Sequence, residues 1–299
     1  MSEKPEHNSK AYFALGVTSI VWGTSWVASR FGVRYTPALQ LSATRQFLAG
    51  TLFILFFLLR GEKLPNFKQF AWLAMLSLFT FVGANGLSTW SVQYISSGLA
   101  ALISALYPIF VVLIEWLVLK NNKNTPLTFV GLIIGIGGVA IVFYENAFHQ
   151  QPAGYGFGVL LGFVSMITWS IGTILVARNK QQMNPYYAIG WQMFIASFII
   201  YAMATATHHT IAFSQVPYQS WLSITYLICM GSIIAFVAFI YTIKYLPQAI
   251  ASLYAYINPV VAILAGAILL HEPLTANILI GSVITIAGVY LVNRSLKKR

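Results

Sequence analysis

The sequence predicts an all-α polytopic membrane protein of ten transmembrane helices, arranged as two inverted five-helix repeats. Three observations predict it. Of 299 residues, 58% are hydrophobic and 8% charged, and the mean hydropathy is +0.75, whereas a soluble domain carries roughly a quarter charged residues. Ten stretches have the length and apolar character of a helix that crosses hydrocarbon with its own amides satisfied. Finally, a segment in the first half recurs in the second at a fixed offset.

The first span, 12–30, follows the polar residues Met1 to Lys10 and lacks a small-residue cleavage site, so it is read as a retained helix rather than a signal peptide. Pro37 opens the second span, 37–59, and Arg60-Gly61-Glu62-Lys63-Leu64-Pro65-Asn66 closes it. Spans 70–90 and 97–119 come next. Asn121-Asn122-Lys123-Asn124-Thr125-Pro126 then opens the fifth, 126–144. The run Gly154-Tyr155-Gly156-Phe157-Gly158 has no preceding strand, so it reads as a join between halves rather than a phosphate loop. The second half continues with spans 156–177, 186–206, 220–242, 248–270 and 274–292. The expected division is a first repeat over 1–145, an outer linker over 146–153 and a second repeat over 154–299.

Orientation follows from the positive residues, which are retained on the cytoplasmic side. With the amino terminus inside, fourteen of the 17 Lys and Arg residues fall in inner segments, Arg30 and Arg34 alone lie outside, and Arg45 falls within a span. Both termini are therefore expected in the cytoplasm. Tyr94 to Leu102 recurs as Tyr245 to Leu253 at an offset of 151, which also brings Pro108 onto Pro259. Trp22 matches Trp169, Pro37 matches Pro185, and Gly131 and Gly138 meet Gly281 and Gly288. Five is an odd number of crossings, so the second half starts on the opposite side of the membrane and the repeats are inverted.

The run from Tyr94 to Phe110, with Glu115 downstream and a Gly-rich fifth helix, resembles the EamA-type branch of the drug/metabolite transporter superfamily. His271-Glu272-Pro273-Leu274-Thr275 resembles the acidic turn that opens the last helix of that family's repeat, although the first half has Asn121 and Asn122 where the turn usually carries Glu. The resemblance covers nearly the whole chain. It implies a basket of helices around a central cavity, lined mainly by the third, fourth, eighth and ninth helices. It also implies a transporter, and the function expected is a secondary transporter of small organic metabolites, amino acids or related amphipathic compounds, working by alternating access and in the exporting direction. A lipid-like substrate and flippase activity, or a non-transport membrane subunit, remain the alternatives.

Several residues stand out as candidates for substrate contact. Pro108 and Pro259 sit mid-span at equivalent positions and are expected to kink their helices, freeing the carbonyls of Ser104 and Ala255. Tyr107, Asn258, Ser104 and Tyr254 supply polar tips at that depth. Arg45 is a basic residue well inside a span, a costly placement that is a functional hypothesis by default. A pairing of Arg45 with Glu115 is not expected, because their places on parallel helices differ by roughly 15 Å of depth at 1.5 Å per residue. Glu115 is the candidate for proton coupling, with an interfacial role near Lys120 as the plainer reading. Trp22, Trp90 and Trp169 stand beside small or polar residues, and Asn85 is a mid-span amide, so these four complete the candidate binding set.

Other functions are disfavoured. The basic residues are dispersed, so no nucleic-acid partner is expected. The single cysteine, Cys229, excludes an intrachain disulfide, and neither metal nor cofactor is expected. An intramembrane protease is disfavoured by the lack of any Asp and of a His-Glu-x-x-His pair. The expected partners are a small-molecule substrate and the lipid bilayer, in a bacterial inner membrane, with a homodimer left open.

Overall fold

The computed structural model describes residues 5–118, 125–147, 152–177, 183–246, 248–251 and 253–297, and every regular element among them is helical. In chain order the helices are α1 (Pro5–Gly32), α2 (Ala38–Leu59), α3 (Phe67–Ser91), α4 (Ser97–Leu117), α5 (Pro126–Ala147), α6 (Tyr155–Ala177), α7 (Pro185–Ala206), α8 (Tyr218–Tyr245), α9 (Tyr254–Leu270) and α10 (Ala276–Lys297). Among the described residues, seven of these are long and apolar enough to cross a membrane. The remaining three, α5, α9 and α10, are apolar over the shorter stretches Pro126–Val142, Tyr254–Leu270 and Ala276–Val292. The protein is a polytopic membrane protein.

Helix ends follow local chemistry. Asn66 starts α3 with a capping box: its side chain accepts from Gln69 N, and the Gln69 side chain accepts from Asn66 N, both at 2.9 Å. Ser96 accepts from Leu99 N at 3.2 Å to start α4, and Asn184 accepts from Tyr186 N at 3.1 Å to start α7. His271 ends α9 in the left-handed region (φ 53°), and Glu272 N then donates to Gly266 O at 3.2 Å. Buried hydroxyls turn back onto their own helices, as Thr18 Oγ1 does to Ala14 O at 2.9 Å and Ser19 Oγ to Leu15 O at 2.7 Å, so they need no water.

Three features depart from the sequence expectation. First, α1 starts at Pro5 and α10 runs to Lys297, because polar residues at the ends of a span continue the helix beyond its apolar part. Second, α3 and α8 are each π-helical in the middle, over Leu78–Gly86 and Leu227–Ile234. Third, the two prolines behave differently. Pro108 lies in the first turn of the resumed stretch Tyr107–Leu117, after α4 breaks beyond Ser104, so its missing amide falls where no intrahelical partner is required. Pro259 stands inside the continuous helix Tyr254–Leu270, and a separate turn, Gln248–Ala251, precedes that helix.

Packing brings the two halves of the chain together. α5 packs along α10, and α2 along α7; α1 packs on α8 and α9, while α6 packs on α3 and α4. Glycines permit close approaches at both of the main helix pairs. A Cβ on Gly138 would strike Thr285 N and lie 2.6 Å from Gly281 O, and one on Gly50 would lie 2.6 Å from Phe194 N. Large apolar side chains remain outside, among them Phe13 at 75%, Ile133 at 73% and Ile268 at 72% exposure, the arrangement expected when lipid is the solvent.

Candidate functional site

A cavity of about 140 Å³ lies between α1, α2, α3, α4, α6, α8 and α9. At roughly 10–15 Å³ per water on this scale, it has room for on the order of ten waters or ten non-hydrogen atoms of a solute. α1 contributes Trp22, Ser25, Trp26 and Ser29, which recur at helical spacing and form one face. α3 contributes Asn85, Ser88 and Thr89, and α4 contributes Ala101 and Ser104. Both halves of the chain therefore meet at the cavity.

Aromatic rings form much of its wall. Tyr107 and Tyr254 stack with centroids 6.3 Å apart and planes 18° apart, and the Tyr254 hydroxyl donates to that of Tyr107 at 3.2 Å. Trp22 meets Tyr254 edge-on at 5.3 Å and Phe236 at 5.2 Å, while its Nε1 donates to Gly231 O at 3.2 Å. Ser170 Oγ donates to Tyr107 O at 3.2 Å, which holds the broken part of α4 against α6.

Arg45 is the charged residue of the lining. It is buried to 6% exposure, and its Nε donates to Ser232 Oγ at 3.1 Å. No ion pair links it to Glu115, which is half-buried near the end of α4 and away from the cavity. Ser232 belongs to the π-helical stretch of α8, as does Gly231, the acceptor for Trp22. The π-helical stretch of α3 carries Ala84 and Asn85. π-Helical turns concentrate at functional sites because they re-aim side chains and carbonyls; here the α3 stretch contributes to the lining, and the α8 stretch bonds two lining side chains, Trp22 and Arg45.

The cavity gathers eight of the nine substrate-contact candidates: Trp22, Arg45, Asn85, Ser104, Tyr107, Trp169, Tyr254 and Asn258. Trp90 is elsewhere, edge-on to Phe157 at 5.2 Å. Pro259 lines the cavity, whereas Pro108 is buried in the core beside it. Gln192, another mid-span amide, bonds helices together instead, accepting from Thr80 Oγ1 at 3.0 Å and donating to Ala188 O at 3.3 Å.

A second polar cluster sits where the end of α1, the start of α4 and the α9–α10 turn meet. The Glu272 carboxylate accepts from Ser97 N at 2.9 Å and Ser97 Oγ at 2.7 Å, capping the start of α4. Arg30 Nη1 donates to Val92 O at 2.6 Å and Gln93 O at 2.8 Å, and its Nε lies 3.9 Å from Glu272 Oε1. The left-handed turn at His271 aims Glu272 at Ser97. The sequence marks Glu272 as part of the turn that opens the last helix and gives it no partner. The contact joins residues 175 apart in the chain, and no local pattern announces it.

Comparison with known proteins decides the family. The EamA-like transporter family matches the chain twice, over residues 9–144 and 156–294. The chain belongs to that family. Its relatives include the uncharacterized inner membrane transporter YedA of Escherichia coli, 32% identical over 85% of this chain and 80% of that protein. Another is the uncharacterized transporter YvbV of Bacillus subtilis, 27% identical over 93% of this chain and 90% of that protein. A solved crystal structure superposes with a TM-score of 0.66 over 97% of this chain and 98% of that chain, and at 16% identity it establishes a common fold alone. The protein is thus a membrane transporter in the general sense of its family, and that family consists of transporters rather than enzymes.

Cavity residues that sequence reasoning left out were nevertheless legible. Ser25 and Ser29 follow Trp22 at the third and seventh positions, and Ser88 and Thr89 follow Asn85 at the third and fourth. A polar stripe at helical spacing inside a hydrophobic span was the available signal.

Proposed function

We propose that this protein is a secondary transporter that moves small organic metabolites, amino acids or related amphipathic compounds, outward across a bacterial inner membrane. In this reading ten helices form two inverted five-helix repeats, over 1–145 and 154–299, joined by a linker over 146–153. Alternating access comes from the two repeats rocking about the central cavity. One observation carries the reading: positions matched by the internal repeat both line that cavity, Trp22 with Trp169, Ser104 with Ala255, and Tyr107 with Asn258. A site built from equivalent positions of two halves exchanges its exposure when the halves exchange conformations. The reciprocal packing, α1 on α8 and α9 against α6 on α3 and α4, supports the same relation.

The distribution of Lys and Arg supports cytoplasmic termini, with Arg30 and the Glu272 turn on the outer side. The size and aromatic walls of the cavity favour a small amphipathic solute over a lipid. Glu115 lies away from the cavity, so a proton-coupling role would act on the movement of the halves rather than on the bound solute.

The test is uptake by proteoliposomes of a mixed pool of amino acids and small organic acids, read by mass spectrometry with and without a pH gradient. The expected result is saturable uptake of a subset of the pool. Accumulation beyond equilibrium only under the gradient, abolished by Glu115→Gln, would assign the coupling to Glu115. Folded protein that admits no solute would contradict the transport reading.

A further inference from the structure

Arg45 puts a charge in the cavity, and no described residue of the lining opposes it. The chain has six carboxylates in all, Glu3, Glu6, Glu62, Glu115, Glu145 and Glu272, and no Asp. Among the described residues no carboxylate lines the cavity, whereas Arg45 does. Its guanidinium is buried in the membrane interior, and its one hydrogen bond within the described residues runs from Nε to the neutral Ser232 hydroxyl. That bond orients the group and leaves the Nη1 and Nη2 edge without a partner among the described residues. Charged side chains inside a membrane otherwise pair with one another or with backbone carbonyls, as Arg30 does with Val92, Gln93 and Glu272.

The Nη edge of a guanidinium presents parallel N–H donors at the spacing of a carboxylate's two oxygens. In a low-dielectric cavity an anion is attracted far more strongly than in water, and a cation is repelled as strongly. Beside Arg45 the walls carry Trp22, Trp26, Trp169, Tyr107 and Tyr254, which suit an apolar or aromatic body, among polar tips such as Asn85 and Asn258. Space for on the order of ten non-hydrogen atoms sets the size.

We infer that the cavity is a receptor for small monocarboxylates with an apolar or aromatic body, zwitterionic amino acids included, and that Arg45 holds the carboxylate. Net cations such as simple amines are excluded by the same charge. This rests on the reading of the cavity as the transport site, but its test separates the two. In a zwitterion the ammonium faces the aromatic rings, which attract cations.

The experiment is a titration of the purified full chain in detergent, followed by its tryptophan fluorescence, since Trp22, Trp26 and Trp169 line the cavity. The probes are 4-methylpentanoate and phenylacetate, each beside its neutral amide and its amine analogue. The expected result is saturable binding of the acids, at least tenfold tighter than of the amides, and none of the amines. Arg45→Gln should erase the preference for the acid and Arg45→Lys should keep part of it. Asn85→Asp, which keeps Arg45 and adds a carboxylate to the same lining, should weaken acid binding at least tenfold and tests the idea even if Arg45→Gln does not fold. Equal binding of acid and amide, no binding of either, or an acid preference that survives Asn85→Asp would overturn the inference. Acids that bind but do not enter proteoliposomes would leave the receptor standing and remove the transport reading. Uptake of amides and amines without preference for acids would do the reverse.

Discussion

Arg30, at the end of α1, and Arg45, within α2, are arginines of consecutive helices, yet their surroundings are opposites. Arg30 donates to the carbonyls of Val92 and Gln93 and stands 3.9 Å from Glu272, whose carboxylate in turn caps α4 at Ser97. Arg45 is the more deeply buried of the two, and its bond runs to a single hydroxyl, that of Ser232. Desolvation of a cation is costly in either place. At the Arg30 corner the protein meets that cost with its own acceptors and ties four parts of the chain together. In the cavity the guanidinium has a single hydroxyl acceptor among the described residues. On the inference proposed above, one arginine serves the architecture and the other ligand recognition.

The largest expected effect is on that second role. Arg45→Gln should weaken binding of a small carboxylate by at least about 30-fold, from loss of a buried charge-assisted contact of about 2–5 kcal/mol, while the thermal midpoint holds or rises because a buried charge is gone. A fall in stability with unchanged affinity would make Arg45 structural and break the comparison. Glu272→Ala should do the converse: it strips the Ser97 amide and hydroxyl of their acceptor, so stability should fall by about 1–3 kcal/mol, read as a lower thermal midpoint, with carboxylate affinity little changed.

Smaller changes sharpen the contrast. Tyr107→Phe removes one end of the hydroxyl pair with Tyr254 but keeps the stacked ring. A cost of about 0.5–1.5 kcal/mol in affinity, and less in stability, would mark the pair as part of the recognition surface. Trp90→Phe is the control. Its ring packs on Phe157 outside the cavity, so affinity measured by titration should stay within twofold.

How far these roles could be read in advance depends on the distance over which each is specified. Helix boundaries were legible because Pro37, Asn66, Pro126 and Pro185 act within a turn of where they stand. Most of the cavity was legible too, since a mid-span arginine, amide or tyrosine in a hydrophobic run has few other places to go. Trp90 shows the limit. It shares its tryptophan chemistry and polar neighbours with Trp22, but one residue beyond Thr89 turns a side chain by roughly 100°, and that rotation takes it out of the lining. Pro108 and Pro259 show another. They are identical in the repeat, yet one follows a break in α4 and the other sits within an unbroken α9. The Glu272 cap on Ser97 and the two π-helical stretches arise only from packing between distant segments, and no local run of residues encodes them.

The central claim is that solute passes through the space between the two halves. It is tested most directly by Ser104→Cys in a chain whose single cysteine, Cys229, has been replaced by Ser, reconstituted in proteoliposomes and treated with a membrane-impermeant thiol reagent. The reagent added to either side should block uptake, and a transported solute should protect against it. Labelling that leaves uptake untouched, or that no solute slows, would contradict it.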